Sequence, residues 1–436
     1  MSHVFPRVPS RELPRAVRAD GVWIEDADGR RYLDGAGGAI VVNVGHGDRS
    51  LIGAMAGQAS RASYVHGTMF TTDALEDYAD DLASLLPMDD PRIYPVSGGS
   101  EAVETALKLA RAYHLAHGDE ERTLVVGRRA SYHGNTLGAL DAGGKQVLRR
   151  PYEPWLGRFP HVEPAYEYRC AMGSHPRSCG AAHGEALERA IVEAGPGRVA
   201  AFIAEPVAGA TLAAAVPSDD YWPAVVDVCR RHGVLVIADE VMTGFGRTGR
   251  WFAVDHWGVR PDVLVAGKGS TSGYFPFGFA ACSDEVFEAV RAMGFVHGFT
   301  WSHNGVGAAV AHATLRRLRD GDLVDASAAK GERLLKGLSE ALDGVAIVGD
   351  VRGLGLMIGI ELVADAGTKT PFPRAAQVTE RALGAAREAG LLLYSSTGHV
   401  DGHDGDLLML GPPSVISDDE LDLVVERTAT AIAAIG

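Results

Sequence analysis

Cysteine is scarce in this chain. Four in 436 residues, Cys170, Cys179, Cys229 and Cys282, are too few for a disulfide-built scaffold. No apolar run approaches the length of a membrane span. The opening stretch MSHVFPRVPSRELPRAV is broken by prolines and arginines and carries no signal-peptide core. A cytoplasmic protein with no membrane partner is expected. Positive charge is also short: 41 Lys and Arg against 56 Asp and Glu leave a net charge of −15. That argues against a nucleic-acid surface, though it leaves room for a local pocket that holds a small anion. Internal repeats and low-complexity linkers are missing as well.

What is present is a globular balance, 46% hydrophobic and 22% charged, so a folded core is expected rather than disorder. The length exceeds the size at which one core usually keeps growing, so two or more lobes are expected. Short apolar runs, at Arg92–Val96, Thr123–Gly127, Ala200–Glu205, Val234–Asp239, Val263–Ala266 and Phe277–Cys282, read as strands. Amphipathic stretches lie between several of them. Val103, Ala106, Leu107, Ala110 and Tyr113 recur at helical spacing, and Tyr221–Arg231 reads the same way. This alternation predicts an α/β fold, a mostly parallel sheet flanked by helices.

The C-terminal third has a different rhythm. Helical runs are expected over Asp322–Leu342, Ala375–Ala389 and Asp418–Ile435, with VAIVGDVRGLGLMIGIELV supplying strands of a small sheet. That predicts a smaller α+β lobe. Near the N-terminus, GVWIEDADGRRYLDGAGG has an Asp-Gly turn between apolar runs and reads as a hairpin belonging to either lobe.

Four segments carry candidate chemistry. In PDVLVAGKGS an apolar run ends at Lys268 between two glycines, an odd place for an ammonium that is costly to bury; the glycines read as clearing space around it. In GVLVIADEVMTGFGRTG a strand ends at Asp239, and ligands of open α/β sheets bind beyond the carboxyl ends of strands. Asp239 reads either as a turn cap or as one wall of a site; no G-x-G-x-x-G precedes it to support a dinucleotide contact. PVSGGSEAVETALKLAR leads from a strand through Ser97-Gly98-Gly99-Ser100 into a helix. It reads as an ordinary turn with Ser100 as N-cap, or as a phosphate cradle on a helix N-terminus. SYHGNTLGA offers Tyr132, as loop packing or as a platform for a ring, while His133 alone is not taken as a base.

Together these pieces suit pyridoxal phosphate: a cradle for the phosphate, an aromatic to stack, a carboxylate for the pyridine nitrogen and a lysine for the aldehyde. The sequence resembles the class III (omega-type) aminotransferases, of fold type I among pyridoxal-phosphate enzymes. The likeness runs through GVWIEDADGRRYLDGAGGAIVVNVGHGD, SGGSEAVETALKLAR, YHGNTLGAL, FIAEPV, VLVIADEVMTGFGRTG, VAGKG, HGFTWSHNGVG, VRGLGLMIGIEL and LLMLGPPSVIS, nearly the whole chain. It implies a large PLP-binding domain over residues 61–315, with a small α+β domain built from 1–60 and 316–436. It implies that Lys268 forms the internal aldimine and shuttles protons, and that Asp239 pairs with the pyridine nitrogen. Gly99 and Ser100 would hold the phosphate, Tyr132 stack on the ring, Val241 pack on its other face, and Glu205 join the nearby hydrogen-bond network. Thr300 would reach the phosphate of a neighbouring subunit, making a homodimer with sites at the interface. The implied reaction moves an amino group from an amine or omega-amino donor to a 2-oxo acid by a ping-pong mechanism. Racemase or epimerase, aminomutase and decarboxylating relatives share the lysine and aspartate and form the alternative reading; a non-catalytic scaffold is disfavoured by their retention.

Two departures from the family bear on substrate. Where many relatives have a glutamine beside the ring, this chain has Met242. Where relatives acting on α-amino acids have an arginine before the Pro-Pro, it has Met409, and the loop TGHVDGHDGD has no arginine either. A carboxylate without a bidentate arginine loses a strong contact, so a donor with a terminal amine, or with an amino group distant from any carboxylate, is expected, with pyruvate or 2-oxoglutarate as acceptor. By family analogy Phe159, Trp155, Ile40, Met69 and Trp301 line the substrate pocket. In YRCAMGSHPRSCGAAHG, Cys170, His175, Cys179 and His183 are metal-ligating types, but the spacing is not a standard zinc pattern. A surface loop with two thiols, and no metal, is the expectation.

Overall fold

A computed structural model of the chain describes residues 3–8, 12–157, 159–172 and 179–436. Its centre is a seven-stranded sheet made of β4 (Arg92–Val96), β5 (Leu124–Arg128), β6 (His161–Val162), β7 (Val199–Ala204), β8 (Leu235–Asp239), β9 (Val263–Ala266) and β10 (Gly278–Cys282), in the order β4-β10-β9-β8-β7-β5-β6. Only β10 runs against its neighbours β4 and β9; the other pairings are parallel. β7, β8, β9 and β10 are buried throughout, which explains their unbroken apolar runs. Pro95 sits in β4, which pairs on one side only, as a residue without an N–H requires. The helix Gly99–Ala116 lies across the sheet and buries Ala102, Val103, Ala106, Leu109 and Ala110 against it, a stripe at helical spacing.

The expected strands are present to within about a residue at each end. The N-terminal hairpin joins the smaller lobe. β1 (Ala16–Asp20), β2 (Trp23–Asp26) and β3 (Arg31–Asp34) form an antiparallel ribbon, and β3 pairs in parallel with β13 (Leu391–Leu392). A second four-stranded sheet, in the order β11-β12-β15-β14, contains β11 (Val348–Gly353), β12 (Ile358–Leu362), β14 (Tyr394–Thr397) and β15 (Asp406–Leu410). Helices Leu323–Ala341, Val378–Glu388 and Asp418–Ala433 cover this lobe, with Leu334, Leu338, Ala382, Val424 and Ile432 in its core.

Arg247 ties the lobes together. Its guanidinium is buried and donates to the carbonyls of Leu356, Pro412 and Val42 and to Asn43 Oδ1, at 2.5–3.2 Å. Burial pushes its pKa down to about 10, so it stays charged at neutral pH and acts as a cationic knot between chain segments. No helix among the described residues is long and apolar enough to cross a membrane.

Candidate active site

The parallel strands leave their carboxyl ends on one side of the sheet, where open α/β sheets bind ligands. β4 ends one residue before Ser97, β7 one before Glu205, β8 at Asp239 and β9 two before Lys268. Gly99, Ser100, Tyr132, His133, Gly134, Glu205, Val207, Ala210, Asp239, Val241, Met242, Thr243 and Lys268 line one cavity of about 160 Å³ there. Of the expected site residues, Gly99, Ser100, Tyr132, Glu205, Asp239, Val241 and Lys268 are thus brought together. Thr300 is exposed and is not among the lining residues.

Lys268 adopts a left-handed φ of 40°, a conformation that costs a side-chain-bearing residue energy and clusters at functional sites. Burial lowers its pKa to about 8, against the opposing pull of Asp239 and Glu205. The flanking glycines do not clear space as expected. A Cβ on Gly267 would stand 3.3 Å from the Gly99 nitrogen, and one on Gly269 2.6 Å from Asn43 Nδ2. They serve close packing: Gly267 lets β9 abut the glycine turn, where a Cβ on Gly99 would in turn strike Val241 Cγ1 at 2.8 Å.

Asp239 is held from two sides. Its Oδ1 accepts from the Val241 N–H at 3.0 Å, and its Oδ2 lies 2.6 Å from His133 Nδ1. An ionised carboxylate only accepts, so Nδ1 carries the proton. His133 belongs to the site, although nothing in a Tyr-His-Gly turn signals the contact, made across 106 positions of sequence. Glu205 is buried, accepts from the Gly209 N–H at 3.1 Å and lies 3.9 Å from Arg128. Burial raises its pKa, opposed by His133 and Arg128.

The glycine turn resolves its two readings. Gly98, not Ser100, occupies the N-cap, with no side-chain cap bond. Ser100 is inside the first helical turn, and its hydroxyl accepts from the Asn135 N–H at 3.2 Å. The first N–H groups of an 18-residue helix therefore open onto the cavity that Gly99 and Ser100 line, an arrangement made for an anion.

Met242 and Met409 share one apolar cluster with Ile40, Val207 and Met357. Met409 is buried in β15, opposite Gly359 and Tyr394. The two departures from the family pattern thus fall on the same apolar wall. Ile40 belongs to that wall; Trp155, Met69 and Trp301 are exposed, and neither they nor Phe159 line the cavity. A cation stands close by. Lys145 Nζ donates to Ser396 Oγ at 2.8 Å and to the carbonyl of Ala210, a cavity residue, at 3.4 Å. Burial lowers its pKa, with Glu205 opposing.

The donor set fits pyridoxal phosphate. An amine, a fixed carboxylate, an aromatic and a helix N-terminus converge on one space. Two atoms of lining residues, His133 Nε2 and Glu205 Oε2, are buried without a hydrogen-bond partner, as in a site shaped for a further polar group. The thiols are all free, and Cys179 and His183 are buried, not on the surface loop expected. His175 lies outside the described residues.

The model of the family Aminotransferase class-III matches residues 8–432. The chain is 37% identical over 428 residues to the uncharacterized aminotransferase YodT of Bacillus subtilis, covering 98% of this chain and 96% of that protein. It is 33% identical to the putrescine–pyruvate aminotransferase of Pseudomonas aeruginosa over 96% of this chain and 91% of that one. Among solved structures, an amine transaminase from an uncultivated Pseudomonas species, in its PLP-bound form, superposes with a TM-score of 0.93 at 35% identity, covering 100% of this chain and 99% of that one.

Proposed function

We propose a donor, an acceptor and residue roles for this chain, which belongs to the class III aminotransferases and is a pyridoxal-phosphate-dependent transaminase. Racemase, aminomutase and decarboxylating chemistry are not favoured by these relationships. The donor carries a terminal amine, and the acceptor is a 2-oxo acid with a single carboxylate, of which pyruvate is the simplest. The observation that carries this reading is the meeting of Lys268 and Asp239 in one cavity that Met242 also lines, while Met409, at the position of the family's carboxylate-binding arginine, is buried in the same apolar cluster as Met242.

When bound, pyridoxal phosphate supplies an electron sink that acidifies the carbon carrying the donor's amino group. Lys268 Nζ would anchor the cofactor and serve as the proton shuttle, acting first as base and then as acid within each half-reaction, so that the amine ends each one unprotonated. A pKa of about 8 leaves a useful fraction of free amine near neutral pH, which general-base work requires. Asp239 holds positive charge at its open carboxylate edge, and His133 fixes the carboxylate's orientation from behind. The helix N-terminus at Gly99 and Ser100 holds the phosphate. Tyr132 and Val241 clamp the ring from two faces, and Glu205 closes the pocket floor.

The acceptor carboxylate is assigned to Lys145. Its bonds go to neutral oxygens, so no contacting carboxylate cancels its charge, and one cation suits one carboxylate. The chain works as a homodimer, with Thr300 of each subunit reaching the other's phosphate. Supporting this, Met69, Phe70, Val296 and Trp301 are all exposed on two neighbouring segments linked by a bond from Tyr64 Oη to the Thr300 carbonyl at 3.0 Å. Such a patch marks an interface. The division into 1–60, 61–315 and 316–436 is retained, supported by the β3–β13 pairing of both termini, and a cytoplasmic location is kept with it.

The test is a donor panel with pyruvate and 2-oxoglutarate as acceptors. Terminal amines with pyruvate are expected to exceed α-amino acids by at least about tenfold in kcat/KM, since a missing charged hydrogen bond costs about 1.5–3 kcal/mol. Preference for α-amino acids, or loss of handedness in the donor without net transfer, contradicts the reading.

A further inference from the structure

Away from the cavity, three side chains of metal-ligating type converge. One ligand atom each from Cys170, Cys179 and His183 lies within 4.8 Å of the others. The edge of a tetrahedral zinc site with thiolate and imidazole ligands is roughly 3.5–3.8 Å, from bond lengths of about 2.0–2.3 Å. The three atoms therefore need to close by at most about 1 Å, within the reach of side-chain rotation.

The local structure explains the convergence. Cys179 is the N-cap of the helix Gly180–Ala194, with no side-chain cap bond, and the His183 N–H donates to its carbonyl at 3.1 Å. Cys179 and His183 are thus i and i+4 across the first turn, on one face. Cys170 returns to that face from the preceding 3-10 turn at Glu167–Arg169. The surroundings suit a metal too: Ser218 Oγ lies 3.7 Å from Cys179 Sγ and donates to Asp220 Oδ1 at 2.7 Å, while Asp220 Oδ2 accepts from the Gly180 N–H at 3.0 Å. This is the supporting layer that metal ligands generally have.

His183 gives the independent observation. It is 3% exposed, and its Nε2 has no hydrogen-bond partner, a costly state for a buried nitrogen. A Cys170–Cys179 disulfide, the competing use of the two thiols, would leave that nitrogen orphaned.

We propose that Cys170, Cys179 and His183 form a structural site for a zinc-type divalent cation, with a fourth position for water. Binding replaces two S–H protons, which are released to solvent, and two thiolates neutralise the ion. The site pins the segment that carries Tyr166 and Arg169. Both of these bond the buried Glu361 of β12, Arg169 at 2.5 Å. On its other side the His183 ring lies 5.4 Å from Tyr221, whose hydroxyl accepts from Arg128 at 3.5 Å, and Arg128 donates to the Glu205 carbonyl at 2.7 Å. The metal would thus brace the cavity floor without touching the reacting groups.

The test uses the purified full-length holoenzyme, saturated with zinc, desalted into metal-free buffer and analysed by elemental mass spectrometry. One zinc per chain is expected, falling below about a tenth in His183→Ala and Cys179→Ser. Cobalt(II) exchanged into the wild type should show thiolate-to-metal charge transfer and intense tetrahedral bands. Cys170→Ser changes a partly exposed position and so keeps its fold if the buried variants do not; it should lower zinc affinity at least ~100-fold in a chelator competition. Zinc retained equally by all variants, or absent from the wild type with the two thiols found joined in a dithiothreitol-reducible disulfide, overturns the proposal. These outcomes are read without measuring transamination.

Discussion

At the scale of single residues, burial sets the reactivity of Lys268. Its pKa falls from the ordinary 10.5 to about 8, so the sign of its effect on stability is fixed. Below about pH 8 folded and unfolded chains both carry the proton, and the cost of sheltering the charge is present in full. Between there and pH 10.5 the folded chain gives up the proton first, so cofactor-free protein gains stability as pH rises and loses it again as pH falls through 8. Lys268→Met should remove that slope, read by thermal melts across the pH series. His133→Phe keeps the ring's bulk but leaves Asp239 without its 2.6 Å partner. It should lower kcat about 10–100-fold, the range for groups that orient a functional side chain from outside, with donor KM little changed. Lys145→Met should raise KM for pyruvate by about 10–100-fold, following the 1.5–3 kcal/mol of a charge-assisted bond, and leave the amine's KM alone. Lys268 and Asp239 drew notice as polar ends of apolar strands, but it was the run of motifs along the rest of the chain that marked them as belonging to one site. His133 and Lys145 were not legible, because each depends on contacts between segments distant in sequence, which no local spacing encodes; Cys170, Cys179 and His183 stood out as metal-ligating types, but the spacing matched no standard zinc pattern.

At the scale of elements, the buried strands were the most readable parts, since complete burial of β7 to β10 forces continuous apolar runs. The two-residue β13 and β6 are too short to leave a pattern. The helix Gly305–Asp320 buries ten of its sixteen residues, so it has only a narrow polar face, and its Gly-Val-Gly-Ala start weakens any helical signal. Glycines in the small lobe mark where elements touch. A Cβ on Gly359 of β12 would stand 1.9 Å from the Ala213 carbonyl, pushing the sheet off the loop behind Glu205. Gly359→Ala should cost about 1–3 kcal/mol in denaturant titration, the usual range for overpacking. Gly53, in the helix Arg49–Arg61, meets nothing within 4 Å, and Gly53→Ala should be neutral or stabilise by about 0.5–1 kcal/mol.

At the scale of the whole molecule, the N- and C-terminal segments meet in one lobe through β3 and β13, a pairing that sequence order hides because some 350 residues intervene. Shared sites in a homodimer would make activity depend on both chains. Lys268→Ala and Thr300→Asp chains, each inactive alone, should recover activity when co-assembled. In a mixed dimer one site carries both lesions and the other neither, so about one quarter of all sites should be intact in an equal mixture. Of two sheltered amines, Lys268 lines the cavity and Lys145 only bonds the carbonyl of its Ala210, and the chemistry proposed for this protein requires the cofactor to be anchored on the first. Borohydride reduction of the holoenzyme, followed by peptide mass spectrometry, reads that directly. The pyridoxyl group is expected on the peptide containing Lys268 and absent from Lys268→Ala; its appearance on Lys145, or its persistence in that variant, would contradict the assignment.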